Sequence, residues 1–176
     1  MRILIVDDHP IVRQGIHQLL AKAFVGADFH EAETCAQALQ AVRDHDYAIM
    51  LLDLSLPDNT GLECLADIKR LRPAMPVLVV SMNEESQFAP RVMKAGAAGY
   101  LHKQRAAAEI LKAVRKVLAG GHYLSVAYAE QLALASMRGD PGAPHERLTQ
   151  HEFRIMCLIA SGKTVGQIAD QLSRSA

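Results

Sequence analysis

The sequence predicts an α/β fold in which five βα units build a five-stranded parallel sheet, followed by a linker helix and an incomplete all-α segment. Three observations carry this. Short apolar, β-branched runs recur at Ile3 to Val6, Tyr47 to Leu52 and Val77 to Val80. Stretches with helical spacing and a polar face lie between them, and strands that alternate with helices make a parallel sheet with crossover helices. A stretch rich in glycine and proline, 139–144, then separates this pattern from a last stretch that is helical throughout.

In chain order, the first strand, Ile3 to Val6, leads into a helix over Ile11 to Phe24. A weaker strand at Phe29 to Glu33 precedes a helix over Cys35 to Asp44, and Tyr47 to Leu52 precedes a helix over Leu62 to Leu71. Val77 to Val80 leads to a helix over Gln87 to Ala95, and Gly99 to His102 to a helix over Ala107 to Ala119. In that last helix Ile110, Leu111, Val114, Val117 and Leu118 repeat on one face, which must be buried, and Gly120-Gly121 stops it. A further helix is expected from Tyr123 to Met137, with Ser125 as N-cap. Beyond the linker, Thr149 with Glu152 and Thr164 with Gln167 are two capping boxes, so two short helices start there, joined through Gly162-Lys163. The domain boundaries read from this are 1–121, a partly helical linker at 122–146, and 147–176.

Composition excludes several classes of function. Lys plus Arg is 19 and Asp plus Glu is 19, which advertises no polyanionic or membrane-surface partner across the whole chain. The segment from His145 carries four basic and three acidic residues, a weak footprint for DNA. The apolar runs fall far short of the ~18 residues a membrane span needs, and Asp7-Asp8 interrupts a signal-peptide reading of the N-terminus. Cys35, Cys64 and Cys157 are odd in number and far apart, so they read as small hydrophobes of a chain in the reducing cytoplasm. The eight histidines show no ligand spacing; His9, beside the acids described next, reads as a loop residue at a helix start. Arg138-Gly139-Asp140 reads as a chance match within the linker.

Chemistry concentrates at the ends of strands. In a doubly wound sheet ligands sit beyond the C-terminal strand ends, at the switch point of strand order. Asp7 and Asp8 end the first strand and Asp53 ends the third, and a flavodoxin-like order makes those strands neighbours. Three carboxylates that converge need a cation, and an all-oxygen site partly open to water suits Mg²⁺. Ser81 ends the fourth strand with a hydroxyl, and Lys103 follows the fifth with a mobile ammonium. A hydroxyl, an ammonium and a divalent ion around one carboxylate make a receptor for a phosphoryl group.

These residues carry a resemblance. Leu4-Ile5-Val6-Asp7-Asp8-His9-Pro10, Asp53-Leu54-Ser55-Leu56-Pro57-Asp58 with Gly61, then Ser81, Lys94-Ala95-Gly96-Ala97, and Gly99-Tyr100-Leu101 leading to Lys103 resemble the receiver domain of bacterial two-component response regulators. The resemblance implies that Asp53 is the phosphoryl acceptor, and that Asp7, Asp8 and the carbonyl of Ser55 serve, with Asp53, to hold Mg²⁺ or Mn²⁺. It implies further that Lys103 contacts the phosphoryl oxygens and that Ser81 and Tyr100 are a switch pair. The chain departs from many receivers in having Gln104, not proline, after the lysine, at a bond where the family commonly has a cis peptide.

The stretch from Leu148 through Ala169 resembles the LuxR-type helix-turn-helix of NarL-like regulators. The serine matching Ser175 caps the recognition helix in that family, so the sequence stops one residue into that helix. The 176-residue chain is therefore expected not to read DNA sequence.

The implied function is a cytoplasmic, phosphorylation-controlled transcriptional regulator served by a sensor histidine kinase. DNA is the partner of the full-length protein, and the homodimer depends on phosphorylation. The alternative is a receiver-only signalling or phosphoryl-storage module whose tail makes protein contacts. A dehalogenase-like phosphatase would need a second aspartate two residues after the nucleophile, where this chain has Ser55. The protein is thus expected to be a signalling phosphoacceptor that catalyses only its own phosphoryl transfer and dephosphorylation.

Overall fold

A computed structural model describes residues 1–130. Met137, the 139–144 stretch, Cys157, both capping boxes and Ser175 lie outside the described residues.

The elements are β1 (Arg2–Val6), α1 (Pro10–Ala23), β2 (Asp28–Ala32), α2 (Cys35–Asp44), β3 (Ile49–Leu52), α3 (Gly61–Leu71), β4 (Val77–Ser81), α4 (Glu85–Lys94), β5 (Gly99–His102) and α5 (Lys103–Leu118). The strands pair in parallel in the order β2-β1-β3-β4-β5. The sheet is thus the five-stranded flavodoxin-like one, with β1 and β3 adjacent at its centre.

Alternation along the strands sorts the core into two layers. Ile3, Ile5, Ile49, Leu51, Leu78 and Val80 face one way, onto Ile16 and Leu20 of α1 and Ile110, Val114 and Val117 of α5. Leu4, Val6, Met50, Leu52, Val77 and Val79 face the other, onto Ala38 and Val42 of α2, Leu65 and Ile68 of α3, and Ala89 and Val92 of α4. β1, β3 and β4 are buried on both faces, which explains why they stand out in the sequence as unbroken apolar runs.

Helix starts follow local chemistry. Thr34 caps α2 by accepting from Gln37 N, and Thr60 caps α3 by accepting from Glu63 N. Two helices begin more than one residue earlier than their apolar periodicity indicates. α5 starts at Lys103, where His102 Nδ1 accepts from Gln104 N, and its first turn, Lys103-Gln104-Arg105, offers no apolar signal. α4 starts at Glu85 and carries Pro90 inside it. Every peptide among the described residues is trans, Lys103-Gln104 included.

The reading of the cysteines as separate small hydrophobes is corrected: Cys35 and Cys64, 29 residues apart, form a disulfide with Cα atoms 5.7 Å apart. The βα topology brings the first residue of α2 against the first turn of α3, a proximity invisible in sequence spacing. Past α5, Tyr123 N donates to Ala98 O and Tyr123 O accepts from Tyr100 N, adding a short rung beside β5. Ser125 caps a helical turn at 126–130 by accepting from Tyr128 N.

Candidate functional site

The site forms where the C-terminal ends of β1 and β3 meet. Asp7 N donates to Ala32 O at 3.1 Å and Asp53 N to Val6 O at 2.9 Å, so the ladder itself sets where both acids begin. The side chains of Asp7 and Asp53 are 3% and 1% exposed. Lys103 reaches over from the first turn of α5: its Nζ lies 2.6 Å from Asp7 Oδ2 and donates to Asp53 Oδ2 at 2.7 Å. Burial works against the ammonium, but hydrogen bonds to Asp53 and Asp7 outweigh it, so its pKa lies above that of an ordinary lysine.

Asp8 is half-buried on the rim, with Oδ1 2.5 Å from His9 Nδ1. The His9 amide donates to Asp7 Oδ1 at 2.9 Å. One oxygen or ring nitrogen from each of Asp7, Asp8, His9 and Asp53 lies within 4.8 Å of all the others, so this group can hold a metal ion. The donor set suits a hard divalent cation. Three formal negative charges against the single ammonium of Lys103 leave two unbalanced, and Asp53 Oδ1, buried, makes no hydrogen bond to any described residue.

Ser81, fully buried at the end of β4, accepts from the backbone N and side-chain Nδ2 of Asn83 at 3.3 and 3.1 Å. Tyr100 is likewise fully buried, and its hydroxyl donates to Asn83 O at 2.6 Å. Burial pushes the phenol's pKa well up. The ring is therefore already turned in, with Asn83 touching both Ser81 and Tyr100. Ser55 is exposed in the turn after Asp53, where it bridges to Thr60. Gly61 is required here: a Cβ would collide with Leu54 and stand 2.5 Å from Asp53 O.

Asp7, Asp8, Asp53 and Lys103 are thus brought into one cluster, while Ser81 and Tyr100 meet at Asn83. Sequence reasoning missed three supporting residues. Arg13, buried in α1, donates to Asp7 O at 2.7 Å and pairs with Glu31 and Glu33. Asp58 accepts from the amides of Cys35 and Ala36, both at 2.9 Å. Asn83 carried no signal. Arg13 is flagged only by being a charge on the helix face that also bears Ile16 and Leu20.

A doubly wound sheet with an acid cluster and a lysine across its switch point is the arrangement of a receiver domain. Residues 3–115 match the response regulator receiver domain. The chain belongs to the response regulator family, and its relatives place it with the NarL/LuxR type. It is 35% identical to the response regulator GacA of Pseudomonas aeruginosa, over 99% of this chain and 82% of that protein. Among solved structures, a LuxR-family two-component response regulator from Aurantimonas sp. SI85-9A1 superposes with a TM-score of 0.70 at 34% identity, covering 77% of this chain and 97% of the other. The Salmonella typhimurium RcsB response regulator, studied for its DNA interaction, gives 0.69 at 26% identity over 99% of this chain and 84% of its own. The protein is accordingly a signalling protein. No helix among the described residues is long and apolar enough to cross a membrane.

Proposed function

We propose that the protein accepts a phosphoryl group on Asp53 from a sensor histidine kinase and controls transcription through a C-terminal DNA-binding domain. The observation that carries this is the Asp53 carboxylate itself: one oxygen is held by Lys103 and the other is buried with no hydrogen bond to any described residue. In this reading Asp53 Oδ1 attacks phosphorus in line, the bond from phosphorus to the donor breaks, and the leaving group departs on the opposite side. Asp7, Asp8, Asp53 and the carbonyl of Ser55 would hold Mg²⁺ or Mn²⁺, which neutralises charge on the phosphoryl oxygens. The Lys103 ammonium transfers one of its contacts from the carboxylate to a phosphoryl oxygen.

The new group brings roughly two negative charges and strong acceptors within reach of Ser81. Because Tyr100 is already inward, phosphorylation stabilises the inward arrangement by drawing the Ser81 hydroxyl toward the phosphoryl group and holding Asn83 in place. Such a ligand shifts an equilibrium only by its preference for one state. The shift reaches the α4, β5 and α5 face and favours a homodimer.

We read 1–121 as the receiver, 122–146 as a linker whose first turn is fastened to it by Tyr123 and by the Ser125 amide, which donates to Glu85 Oε1 at 2.8 Å, and 147–176 as the opening of a helix-turn-helix domain. A regulator is favoured over a receiver-only module because the match to GacA runs across 99% of this chain, well past the receiver.

The test is labelling by a small acyl phosphate with Mg²⁺. Wild-type chain should acquire one base-labile phosphoryl group and Asp53→Asn none, since an amide is not a nucleophile here. Equal labelling of the variant refutes the assignment.

A further inference from the structure

We propose that Cys35 and Cys64 are a redox modification site whose bridged state steadies the 54–60 loop and strengthens divalent-cation binding at the Asp53 cluster. The second half of the proposal rests on the metal-holding role given above to the Ser55 carbonyl.

The loop that follows Asp53 is held at three places. Gly61 N donates to Leu54 O at 2.9 Å, Ser55 bridges to Thr60, and the Asp58 carboxylate sits on the first amides of α2. One of these holds, the Asp58 carboxylate, depends on where α2 and α3 start relative to one another. The disulfide fixes that distance covalently, joining the first residue of α2 to the fourth of α3. With the bridge open, the polar tie from the loop to α2 runs through Asp58, a carboxylate whose residue is exposed. Ser55 lies within that loop, so freedom gained there is freedom that cation binding must remove again.

The chemistry balances as thiol–disulfide exchange with a small-molecule disulfide. One protein thiolate attacks a sulfur of the reagent to form a mixed disulfide and releases one thiolate. The second protein thiolate then displaces the reagent's other half, and the two protons of Cys35 and Cys64 end on the two released thiols. Reduction by a dithiol runs the sequence backwards. Both cysteines are almost fully buried, so exchange proceeds through local opening and each state persists once formed.

The experiment uses the whole chain, oxidised with glutathione disulfide or reduced with dithiothreitol and then freed of reagent. Thiols counted after denaturation should number one in the oxidised protein, Cys157, and three in the reduced. Mg²⁺ titrated by calorimetry should bind roughly threefold more weakly to the reduced form, the size expected for ordering one loop on binding. Cys35→Ala and Cys64→Ala, each checked for folding by circular dichroism, should bind as the reduced form does and ignore the reagents. Three thiols under both conditions overturn the bridge. One and three thiols with equal Mg²⁺ affinity overturn the coupling. Failure of both forms to bind Mg²⁺ overturns the metal reading and the coupling with it, while the thiol count still decides the bridge.

Discussion

Lys103 is where single-residue energetics matter most. Its side chain is 10% exposed and clamps two acids that are more buried still, so its removal leaves Asp7 and Asp53 facing each other without a cation. Breaking a buried ionic contact by deleting one partner costs about 3–5 kcal/mol. Lys103→Ala should therefore lower the melting temperature of metal-free protein sharply, and added Mg²⁺ should recover much of the loss. Thermal melts with and without Mg²⁺ check this, and a variant as stable as wild type without metal would show that the lysine carries no such burden. The acids and Lys103 were legible in the sequence because each follows an apolar run, and a charge at such a boundary has few structural reasons to be there. Arg13 and Asp58 were not legible. Apart from Asp7 O, which Arg13 also meets, their partners come from 18 to 23 residues away in the chain, through pairings that only the folded topology creates.

Among the elements, the β3–α3 connection leaves least room for change. Gly61 has a helical setting that any residue could adopt, yet the backbone of Leu54 and Asp53 occupies the place of its side chain. Gly61→Ala must push α3 away from the end of β3, an overpacking that costs about 1–3 kcal/mol. Because the displaced backbone carries Asp53, acyl phosphate labelling should slow as well; denaturant titration and labelling rate together check it. All ten elements were legible because the strands read as short apolar runs and the helices as amphipathic periods between them. The starts of α4 and α5 were misplaced because their first turns are polar, and α5 is entered through the His102 cap on Gln104 N.

At the scale of the whole molecule, titration of buried groups sets an alkaline limit. Burial raises the phenols of Tyr47, Tyr100 and Tyr123 above the ordinary value of 10.0, so the folded state holds these protons more tightly than the unfolded chain does. Stability from such groups is complete below the unfolded value and is lost as pH rises toward the folded one. Lys103, raised by its two acids against the effect of burial, acts in the same direction above 10.5. Lys69, lowered by burial, opposes them. Melting temperature should hold steady through neutral pH and fall from about pH 10 upward, more gently in Tyr100→Phe; pH-resolved circular dichroism would show otherwise if the decline began near neutrality.

The rung made by Tyr123 has a consequence for solubility. A sheet margin with bare amides is a template on which another chain can add a strand. β2 closes one margin with Asp28, His30 and Glu31, whereas β5 presents Gly99, Tyr100 and Leu101 and depends on the backbone of residue 123 for cover. A version ending at Gly121, the boundary that helix termination suggests, strips that cover and frees the Tyr100 amide. It should self-associate with rising concentration, as light scattering would register, while a version ending at Glu130 stays dispersed.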